Sequence, residues 1–269
     1  MTVTRLLVLG CGYAGLAMAR RGRSLGLRVL TTTRSEERAA SLRVDGFDVV
    51  QAGALDESIA AHVDGATHVA VAYQPDPATD VVVSRAVKSA HSAVYVSSTG
   101  VYGSVTGHVD DTTPVPPADE RAAKILGAET LFRDAGAVVL RCPGIYGPSR
   151  GLHVRVLGGD HRLPGDGTSY TSRIHIEDLA SFALAAARVE PGTFVVGDDE
   201  PARQIDVVRW ICETYGVPMP PSVPADSVHA SLRADRRIDA SRAKAVFGVT
   251  LRFPSFRDGM APAVTGLRG

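Results

Sequence analysis

Gly10-Cys11-Gly12-Tyr13-Ala14-Gly15 directly follows the apolar run 6–9 and opens the helix-length segment 16–25, an order that restricts the fold more than any other feature of the chain. A strand, a glycine turn and a helix in that succession build an anion-binding turn. Gly10 permits the tight exit from the strand, and Gly12 lets the backbone approach a pyrophosphate. Gly15 lets helix and strand pack closely, and the helix N-terminus faces the negative charge. The context predicts dinucleotide binding, with Gly10, Gly12, Tyr13, Ala14 and Gly15 as contacts.

Short apolar runs alternate with helix-length segments along the next two hundred or so residues. Strands are predicted at 6–9, 28–32, 48–51, 68–72, 93–97, 137–141 and 193–196, with helices at 14–24 and 35–43 among the connections. This pattern predicts an α/β fold: a doubly wound parallel sheet of the Rossmann type, its strands covered by helices on both faces. After residue 147 the pattern changes to glycine- and proline-punctuated loops. We therefore expect a dinucleotide-binding domain from 1–147 plus 173–197, and a small C-terminal substrate lobe from 148–172 plus 198–269.

Twenty-nine basic residues balance twenty-nine acidic ones, so no net field draws the chain to nucleic acid or an anionic membrane. No signal-peptide pattern occurs at 1–5 and no apolar run has bilayer length, which leads to the expectation of a cytoplasmic protein. Cys11, Cys142 and Cys212 are far apart and lack CxxC spacing, so they read as bystander thiols. No His/Asp/Glu cluster has metal spacing, and no metal is expected.

The cofactor type is read from residues 28–35, Arg-Val-Leu-Thr-Thr-Thr-Arg-Ser. An NAD site usually places an acid at the end of the second strand to bind the ribose hydroxyls, and none is present. Thr31, Thr32 and Thr33 offer hydroxyls instead, Arg34 offers a forked cation to a 2′-phosphate, and Ser35 offers a second donor. NADP is the better fit, with NAD possible. Arg38 reads either as a further contact to the adenine or as part of a solvated helix face.

Val94-Tyr-Val-Ser-Ser-Thr-Gly-Val-Tyr-Gly103, taken with the glycine turn, resembles the extended short-chain dehydrogenase/reductase family, also called NAD-dependent epimerase/dehydratases. Leu140-Arg-Cys-Pro-Gly-Ile-Tyr-Gly-Pro148 resembles its nicotinamide-side loop, and Arg173-Ile-His-Ile-Glu-Asp178 its Arg-x-x-x-x-Asp element. Asp239-Ala-Ser-Arg-Ala-Lys-Ala-Val-Phe-Gly248 resembles its C-terminal helix, followed by an arm at 251–256. The resemblance places Ser97 and Pro143 at the cofactor. It places Ser98 at the reacting centre, with Ser97 and Thr99 as neighbours able to substitute.

In that family a Tyr transfers the proton and a Lys four residues later lowers the phenol's pKa and holds the ribose. No tyrosine of this chain has a lysine at that distance. Counting back from Glu129 puts Ile125 at the lysine place and Arg121 at the tyrosine place, with Lys124 off by one residue and hence by about 100° on a helix. The arrangement resembles an atypical, YeeZ-like branch of the family. Arg121 never deprotonates but could orient an anionic substrate. Tyr102, Tyr146 and His175 are left as proton-donor or substrate-facing candidates, each with a packing role as the plainer reading.

Arg233-Ala-Asp-Arg-Arg237 reads equally as a diphosphate site or a solvated helix end, and Asp76, Asp110, Asp111 and Glu120 read as solvated loop acids. Helices near 81–90 and 121–133 correspond to those of a family dimer interface, with Val83, Val87, Ala123 and Leu126 as candidate lining for a homodimer. The expected function is an NADP(H)-dependent oxidoreductase reducing a carbonyl or imine of a small molecule. The alternatives are a sugar-nucleotide epimerase or dehydratase, and a non-catalytic NADP-binding redox sensor.

Overall fold

The computed structural model describes residues 2–116, 119–228 and 233–265. Seven parallel strands form the central sheet: β1 (Arg5–Leu9), β2 (Arg28–Thr33), β3 (Asp48–Gln51), β4 (Thr67–Val71), β5 (Ser92–Ser98), β6 (Ala137–Cys142) and β7 (Thr193–Val195). Their spatial order is β7-β6-β5-β4-β1-β2-β3, the doubly wound arrangement expected from the sequence. Helices α1 (Tyr13–Ser24), α2 (Glu36–Val44), α3 (Pro77–Val87) and α4 (Glu120–Asp134) follow β1, β2, β4 and β5.

The central strands read as continuous apolar runs because both faces of the sheet are covered. Alternate residues of β1 enter different cores. Leu6 and Val8 join the cluster containing Met18 of α1 and Phe182, whereas Leu7 and Leu9 join the cluster containing Val83, Val87 and Phe132 of α3 and α4. Val83 and Val87 are thus buried within their own chain, which removes two of the four positions expected at a dimer interface. Ala123 is exposed and Leu126 half-buried.

A third apolar cluster stands apart from the sheet. It joins α5 (Leu152–Leu157), α7 (Gln204–Tyr215) and α9 (Phe256–Thr265) through Val156, Val207, Ile211, Phe256 and Met260, with Tyr146 at its edge. The segment 236–251, placed in the lobe by the sequence reading, packs elsewhere. Its short strand Arg236–Ile238 pairs in parallel with Gly107–Val109. Ala243 and Phe247 of the following helix α8 (Ser241–Phe247) enter the sheet core, Phe247 meeting Phe182 and Phe194 edge-on. The sequence pattern of that helix shows its apolar face but not which surface receives it.

Asp178, in helix α6 (Ile176–Ala185), accepts hydrogen bonds from the backbone N–H groups of Arg252 (2.8 Å) and Phe253 (3.0 Å). The Arg-x-x-x-x-Asp element therefore anchors the C-terminal arm. Asp111 is not solvated: its carboxylate is buried, receives the Val195 N–H and pairs with Arg242 at 2.7 Å. Asp76 and Asp110 are N-terminal and turn caps, satisfying local N–H groups.

Candidate active site

Because every strand of the sheet runs the same way, the residues that follow β2, β1, β4, β5 and β6 stand along one edge. At roughly 4.8 Å per strand that row extends for about 19 Å. It contains in order Arg34, the glycine turn, Tyr73, Ser98 and Pro143.

Each glycine of the turn has its own reason. Gly10 has φ +84°, and a Cβ there would lie 2.7 Å from Tyr73 Cβ. A Cβ on Gly15 would lie 2.4 Å from the Gly10 carbonyl oxygen and 3.0 Å from Val8 Cγ1. At Gly12 a Cβ would meet nothing within 4 Å, so this glycine borders open space. Helix α1 has no side-chain cap, and its first N–H groups suit an anion. Burial pushes the neighbouring Cys11 thiol up to about 11, which leaves it an inert core thiol.

The second strand supports this turn more than the sequence suggested. Thr32 is buried and accepts the Gly10 N–H on Oγ1 (3.0 Å) and the Cys11 N–H on its carbonyl (2.8 Å). Thr31 donates to the Asp48 carbonyl (3.1 Å), and Ser35 caps α2 by accepting from Arg38 N (3.2 Å). These three hydroxyls are engaged in structure. Thr33, half-buried, accepts from Ser35 N, and Arg34 is exposed without an ion pair among the described residues. Arg38 lies across the glycine turn, its Nε donating to the Cys11 carbonyl (3.2 Å).

At the end of β5, Ser98 Oγ accepts the Gly100 N–H (3.0 Å) and so caps the single turn Thr99–Tyr102. The side chain is half-buried, and its O–H remains available as a donor. Thr99 is buried beside it. Ser97 points to the other face, donating to Glu129 Oε1 at 2.5 Å, and is withdrawn from the cofactor role expected for it.

The remaining proton-donor candidates are withdrawn as well. Tyr102 is fully buried; its hydroxyl donates to the Asp110 carbonyl (3.2 Å) and accepts from Arg141 Nη1 (3.1 Å), and burial pushes its pKa up. The Tyr146 hydroxyl donates to the Ser255 carbonyl (3.3 Å), and burial likewise raises its pKa. His175 accepts the Glu177 N–H on Nδ1 (3.3 Å), lies 3.7 Å from the Phe253 ring, and is held down to about 4 by burial. An imidazole in that state is neutral and serves as an N-terminal cap. Sequence spacing placed Tyr102 and Tyr146 in loops after the right strands, and His175 between two isoleucines, but gave no information on which way each ring turns.

On α4, Arg121 is exposed in the first turn and Lys124 pairs with Glu120 at 2.9 Å, away from the sheet. Ile125 is buried and lies against the Ser98 turn, its Cδ1 3.9 Å from where a Cβ on Gly100 would stand. The helix position that faces Ser98 is apolar.

Arg236 is the contributor that sequence reasoning missed. Its guanidinium donates to the carbonyls of Val105 (2.8 Å), Thr99 (2.9 Å) and Gly103, fastening the Ser98 turn from 137 residues downstream. Only the density of the basic run hinted at it. Arg237 stacks 4.4 Å from the Tyr170 ring, so neither arginine is a solvated helix end. Among the described residues no cluster of His, Cys, Asp or Glu could hold a metal, and no helix is long and apolar enough to cross a membrane. A surface groove lined by Tyr170, Arg203, Trp210 and Arg257 includes neither the glycine turn nor Arg34, Ser98, Tyr102, Tyr146 or His175.

The fold and its glycine turn are those of a Rossmann-type dinucleotide-binding enzyme. A family model described as NAD dependent epimerase/dehydratase family matches residues 6–197, and the chain belongs to that family. A curated relative from a Streptomyces species, 3-diazoavenalumate denitrifying reductase, is 32% identical over 168 residues. That match covers 57% of this chain and 55% of the relative, so the chain spans about half the length of the curated protein it matches. A functionally unknown conserved protein from Silicibacter pomeroyi superposes with TM-score 0.85 at 28% identity, covering 98% of this chain and 99% of that one. A UDP-glucuronic acid 4-epimerase from Bacillus cereus, solved with NAD, shares the fold at TM-score 0.79 and 17% identity, covering 98% of this chain and all of that one.

Proposed function

We propose that this protein is an NADPH-dependent reductase that transfers hydride to a small molecule bound between Ser98 and the lobe built on α5, α7 and α9. The observation that carries the reading is the state of the edge beside Ser98. Its hydroxyl is free to donate, while Tyr102, Tyr146 and His175 are held in buried bonds and Ile125 faces the turn where a lysine would be needed.

Such a site suits an acceptor that takes hydride without needing a strong acid at the same centre. An iminium carbon or a diazonium-bearing carbon meets that condition, because the acceptor is already cationic. With a diazonium, hydride from NADPH forms the new C–H bond, the C–N bond breaks with its electron pair leaving on dinitrogen, and NADP⁺ remains. With an iminium, hydride adds to the carbon of the C=N⁺ group, the π pair moves to nitrogen, and a neutral amine and NADP⁺ result. The Streptomyces relative is named as a denitrifying reductase of a diazo compound, which supports the first acceptor class here. Ser98 would orient the polar end of the substrate, as a donor of the kind that is worth about 10²-fold or more when aimed at developing charge. The NADPH preference rests on exposed Arg34 and the absence of an acid at the end of β2.

The test is consumption of NADPH by the full chain with an aryl diazonium salt, a cyclic iminium salt and a simple ketone, each against a protein-free control. Protein-dependent consumption with a cationic acceptor, and deuterium from 4-deuterated NADPH on the product carbon, are the expected results. Epimerisation of a sugar nucleotide with no net NADPH loss would overturn the reading. So would tight NADPH binding with no turnover of any acceptor class, which describes a sensor.

A further inference from the structure

We infer that Arg150 is a cofactor clamp: its guanidinium pairs with the pyrophosphate of the dinucleotide across the glycine turn, an inference that rests on the dinucleotide site proposed above. Arg150 belongs to the loop after β6, far in sequence from that turn, and no motif assigns it. The loop is tightly fixed. Gly147 and Arg150 exchange reciprocal backbone hydrogen bonds, Gly147 N to the Arg150 carbonyl at 2.9 Å and Arg150 N to the Gly147 carbonyl at 3.1 Å.

The closed loop then rests on the first residue of α1. A Cβ on Gly147 would stand 2.5 Å from the Tyr13 hydroxyl and 2.6 Å from Ile176 Cγ2, so only glycine allows the contact. From this base the Arg150 guanidinium carbon lies 5.6 Å from the centre of the Tyr13 ring, within cation–π range. The Arg150 side chain is exposed and forms no ion pair among the described residues. Both the loop and the stacked ring hold an unneutralised fork beside the uncapped start of α1, next to the open space at Gly12.

The chemistry fits the two phosphates that must occupy that space. Guanidinium presents paired N–H groups to phosphate oxygens, and stacking on Tyr13 reduces the rotamer freedom lost on binding. Arg38, bonded to the Cys11 carbonyl, supplies positive charge from the opposite side of the turn. The inferred role differs from that of Arg34. Arg150 reads the pyrophosphate, which NADH and NADPH share, whereas Arg34 reads the 2′-phosphate, which NADPH alone carries.

Calorimetric titration of the full chain and of Arg150→Ala, Arg150→Lys and Arg34→Ala with NADPH and with NADH separates these roles. Arg150→Ala should weaken both cofactors by about tenfold and by similar factors, and Arg150→Lys by less. Arg34→Ala should weaken NADPH alone. Raising the salt concentration should weaken NADH binding to the unmutated chain more than to Arg150→Ala. Unchanged affinity of Arg150→Ala for both cofactors would overturn the clamp, as would a turnover defect with normal cofactor affinity, which would assign Arg150 to the substrate. Failure of the unmutated chain to bind either dinucleotide would instead overturn the cofactor reading itself. Because Arg150 is exposed, its variants should retain the thermal midpoint of the unmutated chain.

Discussion

Arg141 grips Glu129 with two arms in a nearly dry interior, Nε reaching Oε1 at 3.1 Å and Nη2 reaching Oε2 at 2.8 Å. The pair crosses from β6 to α4, and Ser97 Oγ and the Tyr102 hydroxyl complete it at 2.5 Å and 3.1 Å. It ties the strand that ends at Cys142, the turn that follows β5 and the helix that carries Ile125 into one unit. Removing one member leaves the other as an uncompensated buried charge, which costs about 3–5 kcal/mol. Glu129→Gln should therefore lower the free energy of unfolding by about that amount in urea titration. A loss below about 1 kcal/mol would show that water reaches Arg141.

The proposed NADPH preference rests on Arg34, which stands exposed after β2. A charge-assisted pair with a 2′-phosphate is worth about 1.5–3 kcal/mol, at least tenfold in affinity. The unmutated chain should bind NADPH more tightly than NADH by that factor, and Arg34→Ala should bring the two affinities together. Equal affinities before mutation would mean that the missing acid of β2 is not replaced by a phosphate site.

The sheet was legible in the sequence because each of its strands is a short apolar run between breakers, and a residue buried on either face must be apolar. All seven predicted strands are present, each within about two residues of its expected ends. The glycine turn was legible because Gly10 and Gly15 are demanded by backbone contacts that any side chain would violate. The roles of Tyr102, Tyr146 and His175 were not legible. Tyr102 and Tyr146 lie in the loops expected after β5 and β6 and His175 between two isoleucines, but which way each ring turns is decided by distant partners: Arg141, the Ser255 carbonyl and Phe253. Arg236 was hidden for the same reason, since its three carbonyl acceptors lie more than a hundred residues upstream.

Acid should destabilise the fold through its buried imidazoles. Burial holds His68, His153, His161 and His175 each down to about 4, below the ordinary value of about 6.5. Their folded-state pKa values are depressed, so unfolding takes up protons between those limits, and stability present above about pH 6.5 is lost as pH falls toward about 4. Three carboxyls oppose this, among them Asp178, which burial also pushes up. Burial raises Asp80 to about 6 and Asp198 to about 7, so their penalty at neutral pH is relieved as pH falls. The four imidazoles outnumber the three carboxyls, so unfolding takes up protons on balance and stability falls with pH through this range. Urea midpoints measured from about pH 7 down to about pH 4.5 should fall steadily. A flat or rising profile would show that these imidazoles reach water in the folded state.

Gly12 and Gly15 offer a comparison in which stability and binding part company. Both belong to the same turn, and both would gain only a methyl group in the change to alanine. At Gly15 the methyl carbon would be forced to 2.4 Å from the Gly10 carbonyl oxygen, a backbone atom that cannot step aside, so the turn or the start of α1 must shift. Overpacking of that kind costs about 1–3 kcal/mol, and Gly15→Ala should lower both the urea midpoint and dinucleotide affinity. At Gly12 the methyl would meet no protein atom within 4 Å. Gly12→Ala should therefore lower the urea midpoint less than Gly15→Ala does. If a pyrophosphate occupies the space beside Gly12, the same methyl would stand against it, and affinity for NADPH and NADH should drop together by tenfold or more. Normal cofactor affinity in a stable Gly12→Ala chain would move the phosphates away from this glycine.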